Sequence, residues 1–299
     1  MEPYPGRITP RQADRRESRA STYAVLVSDQ PLTLMAVHAH PDDEALGTGG
    51  VLALYADEGV RTVLVTCTNG ELGDGPGGVK PGEPGHDEAA VVALRRRELE
   101  ASCAVLGVSD LELLGYRDSG MEGWPQNRAD GSFWSTPVPE AAERLGALME
   151  LYQPQVVVTY DENGFYGHPD HIQAHRITMA AAERTGIPDK VYYTAVPRSV
   201  MASFADLLRA QGVEPPEQME QDPEFGTPDE LITTYVDCSG VTDRKYDSLK
   251  AHASQSDNIF FLGMSRELFG VVMGREAFVR ARDRSGQPVP EDDLFAGLR

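Results

Sequence analysis

The sequence predicts an α/β fold, a mainly parallel sheet with helices on both faces. Three observations point to it. Short apolar runs rich in β-branched residues, such as Arg61–Cys67 and Val156–Tyr160, alternate with longer stretches at helical spacing. Their interiors are nearly continuous valine, leucine and threonine with no polar alternation, as in strands covered on both faces. Glycine or proline marks the junctions: Gly59 and Gly107 follow helical stretches, and Pro41 and Pro169 open them.

Residues 1–21 carry Arg7, Arg11, Arg15, Arg16 and Arg19 with almost no apolar periodicity. Residues 1–30 are therefore expected to form a loosely ordered N-terminal arm, with a short strand at Thr22–Asp29. From Leu32 the βα pattern begins, and 31–299 reads as one domain. Strand one spans about Thr33–Ala39, a helix Glu44–Glu58, and strand two Arg61–Cys67. A glycine- and proline-rich loop runs from Thr68 to about Gly85; compact domains keep such long loops for function or mobility. Asp87–Leu106 is helical, Leu111–Leu114 is strand three, and Gly115–Pro137 is a second long loop bearing Trp124 and Trp134. A helix at Glu140–Tyr152, strand four at Val156–Tyr160, a helix at Pro169–Thr185 and strand five at Lys190–Thr194 complete a core of about 31–198. Residues 199–299 read as an α/β C-terminal extension, with an acidic loop at Gly212–Pro228, a strand at Ile232–Val236 and a helix at Thr242–Gln255.

Composition narrows the function. The formal charge of −20 opposes nucleic-acid binding and docking on anionic membranes, both of which need a cationic face. No apolar window is long enough to insert in a membrane, and the N-terminus lacks a signal-peptide core, so a cytoplasmic location is expected. Cys67, Cys103 and Cys238 form no CxxC pair, which argues against a thiolate zinc site; Cys67 and Cys103 read as core residues.

Two strings concentrate chemistry: His40-Pro41-Asp42-Asp43 and His168-Pro169-Asp170-His171. Each follows a predicted strand and opens a predicted helix. Ligands bind at the carboxyl ends of parallel strands, so the fold brings the strings together. His40 and Asp43, like His168 and His171, are spaced to share one face of a helical turn. Three N/O ligands leave a fourth position for water, as in catalytic zinc sites. Such a site also needs a base and an acid. Spacing alone leaves open which of His168 and His171 binds metal, and which of Asp42 and Asp43. Among the other histidines, His38 reads as packed, His175 as hydrogen-bonded, His252 as pocket-lining or helix-terminal, and His86 as solvated.

The strings AHPDDE and YDENGFYGHPDH resemble the signature of the zinc-dependent LmbE/PIG-L deacetylase family, closest to its mycothiol branch. The similarity extends through VTCTNGELG, RDSGM, KAHASQ and the terminal PEDDLFAG. It implies a Rossmann-like fold and one Zn2+ per chain, held by His40, Asp43 and His171; such a set also suits Fe2+, Co2+ or Mn2+. It implies Asp42 as general base, His168 as acid or oxyanion stabiliser oriented by Asp170, and Tyr166 as support for the oxyanion. Arg95 and Asp118 match substrate-contacting positions. The implied reaction is hydrolysis of an N-acetyl amide on a glucosamine-type small molecule, such as an N-acetylglucosaminyl-inositol, to free amine and acetate. The branch also contains the mycothiol S-conjugate amidase, but that enzyme carries a lysine where this chain has Gly47. A non-catalytic nucleotide- or sugar-binding α/β module is the competing reading from another class.

Overall fold

The computed structural model describes residues 31–210, 225–256 and 259–299. The expected arm at 1–30 with its short strand, and most of the acidic loop, lie outside the described residues.

Strand β1 (Thr33–His38) runs fully buried through the middle of the sheet. The sequence predicts one helix after it, but two are formed, α1 (Asp43–Gly47) and α2 (Gly49–Asp57). Two buried polar anchors cause the break. The Thr48 hydroxyl pairs with His38 Nε2 at 2.8 Å, and the Glu276 carboxylate accepts the Gly50 and Val51 N–H groups at 2.7 and 2.9 Å. A carboxylate on free helical N–H groups also complements the dipole of α2. Strand β2 (Arg61–Thr68) leads through the long loop to α3 (Glu88–Leu106), where the Asp87 side chain accepts the Ala89 and Ala90 N–H groups and Gly107 closes the helix at φ 76°.

The chain continues through β3 (Asp110–Tyr116), α4 (Val138–Tyr152), β4 (Val156–Thr159), a short α5 (Gly164–Gly167), α6 (Pro169–Thr185) and β5 (Lys190–Ala195). The extension adds α7 (Arg198–Ala210), β6 (Thr234–Asp237), α8 (Thr242–Ala251), α9 (Ile259–Leu262), α10 (Arg266–Met273) and β7 (Arg275–Asp283). The sheet order is β3-β2-β1-β4-β5-β7-β6. The first five strands are parallel, and β7 pairs antiparallel with both β5 and β6. Strand β7 does not stand out in the sequence, because its arginines mask the buried Ala277 and Phe278.

Successive β1 residues serve opposite cores, as the two-residue repeat of a strand requires. Leu34 and Ala36 pack with Leu52, Tyr55, Leu99 and Leu106 on one face. Met35, Val37 and Ala39 pack with Leu145, Met149, Ala174 and Ile177 on the other. All three cysteines are free and buried. The last residues return to β5, where buried Glu291 meets Lys190 Nζ at 2.5 Å, the Tyr192 hydroxyl at 2.8 Å and Arg280 Nη1 at 2.9 Å. No described helix is long and apolar enough to cross a membrane.

Candidate metal centre and active site

Strand order reverses between β1 and β4, and a crevice opens beyond their carboxyl ends. The first motif leaves β1 and the second follows β4, so topology alone sets His40 beside His168. Their ring centroids are 4.6 Å apart, with His171 at 5.3 Å from His40 and 5.1 Å from His168.

Asp43 lies between two of these rings. Its Oδ2 is 3.3 Å from His40 Nδ1, and its Oδ1 is 3.4 Å from His171 Nε2. Ligand atoms on a tetrahedral Zn2+ stand about 3.3–3.6 Å apart, given bonds of about 2.0–2.2 Å. Each separation is of that size, one measured to each oxygen of the carboxylate. Neither ring nitrogen of the buried His171 makes a hydrogen bond, although buried polar atoms nearly always do. An unsatisfied imidazole facing a carboxylate is what a cation would complete, and the donor set therefore fits a divalent metal. Burial pushes the Asp43 carboxyl up, but His171 and His40 outweigh it and hold it well below the usual range, keeping it ionised. His40 Nε2 points away from Asp43, 3.3 Å from Asp170 Oδ2 and 3.7 Å from Asp118 Oδ1, and carboxylates in that position commonly orient a metal-binding histidine. The nitrogens of His40, His168 and His171 also fall within 4.8 Å of one another, so the cluster offers more donors than one tetrahedral ion takes.

Asp42 adopts φ 118°, in the left-handed region that a non-glycine residue occupies only under constraint. The constraints are visible. Its N–H donates to Glu44 Oε2 at 2.9 Å, its Oδ1 is 3.1 Å from Arg95 Nη2, and Arg95 also bonds the Pro41 carbonyl. Burial lifts the Asp42 carboxyl to about 6 against the lowering pull of Arg95. Arg95 is itself buried and donates to the Gly70 carbonyl at 2.9 Å, so its guanidinium faces Asp42 and the loop backbone.

In the second motif Pro169 occupies the first turn of α6, and His168 Nδ1 accepts the Asp170 N–H at 3.1 Å. A neutral His168 ring therefore carries its proton on Nε2. Burial, with His40 and His171 alongside, pushes His168 down to about 2 and so keeps it neutral. The Asp170 carboxylate rests on the Ser119 N–H at 2.8 Å and on His40, while its backbone engages His168. Tyr166 is partly exposed, with its ring 5.0 Å from His171 and 6.0 Å from His168. Asp118 lies buried near His40 and closes a local turn by accepting the Gly120 N–H at 2.8 Å. A cavity of about 1360 Å3 opens beside Tyr166, with Trp124, Trp134, Phe165 and Tyr193 in its walls; its lining includes neither the first motif nor His171.

The remaining histidines divide. His38 is packed, bonding Tyr160 and Thr48, and His175 bonds the Tyr160 carbonyl at 3.0 Å. His86 is half-buried and bonds the Gly73 carbonyl at 2.9 Å, which corrects the solvated reading; the loop folds back on itself. His252 is fully buried at the end of α8, 2.7 Å from Glu44. Sequence reasoning missed two supporting residues. Tyr160 stacks on His171 at 4.1 Å while its hydroxyl accepts the Ala39 N–H, and Glu44 lies beneath Asp42. An acid in a first helical turn reads simply as a dipole complement, which hid Glu44.

Residues 35–182 match the PIG-L family, described as GlcNAc-PI de-N-acetylase. A 1D-myo-inositol 2-acetamido-2-deoxy-alpha-D-glucopyranoside deacetylase from Acidothermus cellulolyticus is 44% identical over 285 residues, covering 89% of this chain and 95% of that one. The protein of the same name from Thermobifida fusca is 44% identical over 291 residues, covering 88% and 98%. Among solved structures, N,N'-diacetylchitobiose deacetylase from Pyrococcus horikoshii aligns with TM-score 0.52 at 19% identity, covering 83% of each chain. A 4-carboxy-2-hydroxymuconate hydratase from Pseudomonas putida aligns with TM-score 0.56 at 23% identity, covering 86% of this chain and 99% of its own. Identities this low show a shared fold, and a deacetylase and a hydratase on one fold mean that the fold alone does not choose the reaction. The full-length relatives do more: this chain belongs to the PIG-L family.

Proposed function

We propose that this protein is a metal-dependent deacetylase that hydrolyses the acetamido group of an N-acetylglucosaminyl-inositol-type substrate to free amine and acetate. The observation that carries the reading is the carboxylate of Asp43 at 3.3 and 3.4 Å from His40 and His171, with Asp42 fixed beside it. His40, Asp43 and His171 would hold the ion, which we take as one Zn2+ per chain. When bound, it supplies Lewis acidity and makes water a nucleophile at neutral pH. Asp42 removes a proton from the attacking water as the oxygen adds to the amide carbon. His168 donates a hydrogen bond from Nε2 to the developing oxyanion, and Tyr166 adds a second donor from the exposed side. A neutral imidazole that gave its proton away would become imidazolate, so the leaving nitrogen takes its proton from Asp42 as the C–N bond breaks. Asp170 fixes the rings of His40 and His168, Arg95 aims Asp42, and Asp118 contacts the sugar. The adjoining cavity has room for the rest of a glycoside. A cytoplasmic site of action belongs to the same proposal.

The test is metal analysis with an amine-release assay on N-acetylglucosaminyl-inositol and a panel of N-acetylglucosaminides. The expected result is stoichiometric divalent metal, activity lost to a chelator, and in Asp42→Asn retained metal with kcat down by about 100- to 10,000-fold. Metal-loaded protein that releases no amine, or an Asp42→Asn variant as active as wild type, overturns the proposal. The first outcome favours a non-catalytic module, and the second removes Asp42 as the base.

A further inference from the structure

The carboxylate of Glu44 is fully buried, and three polar partners hold it in place. Its Oε2 accepts the Asp42 N–H at 2.9 Å. Its Oε1 accepts the Ser102 hydroxyl at 2.5 Å and pairs with His252 Nε2 at 2.7 Å. Ser102 comes from α3, whereas His252 comes from the end of α8, in the C-terminal extension. Three elements thus converge beneath the one residue of the first motif whose backbone is strained, Asp42 at φ 118°. A strained conformation persists only where its surroundings over-determine it. Arg95 restrains the Asp42 side chain and the preceding carbonyl, but the N–H of Asp42 is held by Glu44. Without a fixed carboxylate there, rotation of the Asp42 backbone would swing its side chain away from the cluster.

We infer that Glu44 and His252 are a positioning pair, through which the C-terminal extension locks the left-handed backbone of Asp42 and so aims its carboxylate. His252 touches neither metal ligand nor substrate; it fixes Glu44, and Glu44 fixes Asp42. The kinetic part of this inference rests on Asp42 being the base of the proposed hydrolysis.

The experiment measures kcat, KM and metal content in His252→Ala and His252→Gln, each alone and combined with Asp42→Asn, together with hydrogen exchange of the Asp42 amide. His252→Ala is expected to lower kcat by about 10- to 100-fold with KM and metal content nearly unchanged, since small misplacement of a reacting group costs that much. His252→Gln keeps an N–H donor for Glu44 and recovers most of the loss. In the Asp42→Asn background, His252→Ala changes the residual rate by less than about twofold, because residues acting as a unit are not additive. The Asp42 amide exchanges about tenfold faster in His252→Ala than in wild type. Ser102→Ala removes one donor from the same carboxylate and is read by the same measurements should His252→Ala not fold. Equal falls of kcat in both backgrounds, or a lower melting temperature with unchanged kcat, overturn the inference. Unchanged exchange of the Asp42 amide overturns it whatever the substrate proves to be, which separates its failure from that of the proposed reaction.

Discussion

Asp42 is supported from two sides by groups of opposite character, Arg95 on its carboxylate and Glu44 on its amide. Left-handed backbone at a non-glycine residue costs about 1–3 kcal/mol, and these contacts offset it. The Glu44–His252 pair has a pH signature. Burial depresses His252, but Glu44 outweighs burial and raises it above its ordinary 6.5. Its contribution to stability is therefore complete below 6.5 and lost as pH rises through the raised value. Burial raises Glu44, but His252 and Ser102 lower it below its ordinary 4.5, so its contribution is complete above 4.5 and lost on acidification. The pair stabilises most between 4.5 and 6.5. Melting temperatures across pH should show the gap between wild type and His252→Gln widest in that window and narrowing on the alkaline side. A gap independent of pH would remove the charge from the pair. At this scale the sequence was most informative where residue types cluster: both histidine strings are visible as potential ligands. Glu44 was hidden, because its partner stands 208 residues away and no local pattern joins them.

Elements were legible wherever pattern and punctuation agree. The helix at Pro169–Thr185 has its predicted limits because Pro169 starts it and Gly186 ends it at φ 65°. The division of α1 from α2 was illegible, since Thr48 and Glu276 act through long-range bonds. The loop from 69 to 86 shows why its glycines sit where they do. A Cβ on Gly70, at φ 66°, would stand 2.4 Å from Arg95 Nη1 and 2.9 Å from Pro41. Gly77 has a similar φ of 78° but meets nothing within 4 Å. Both alanine substitutions should cost about 1–2 kcal/mol in backbone strain. Gly70→Ala should in addition displace Arg95 from Asp42 and lower kcat, while Gly77→Ala leaves the rate intact. Comparing the two rates decides the point, and a Gly70→Ala enzyme as fast as Gly77→Ala rules it out.

Across the whole molecule, the parallel core was readable from alternating strands and helices, whereas the order of the strands was not. Sequence spacing does not say which edge a crossover takes, yet the reversal between β1 and β4 is what joins the two motifs. The C-terminal residues seal the other half of the sheet through Glu291 on Lys190, both fully buried. Glu291→Ala strands a buried ammonium and should cost about 3–5 kcal/mol in denaturant unfolding, whereas Lys190→Met with Glu291→Leu should cost far less. A double variant as unstable as the single one would mean that the bonds of Glu291 to Tyr192 and Arg280, not its pairing with Lys190, hold the tail. The contact between Glu44 and His252 also orders events in time. Ribosomes add about 5–20 residues per second, so the 208 residues between them take about 10–40 s to make. The second histidine string is complete 81 residues before His252, so for about 4–16 s the nascent chain carries both strings but not the brace beneath Asp42. On the inferred role of His252, full activity has to wait for this late-made histidine to dock, which places the aiming of Asp42 among the last steps of folding.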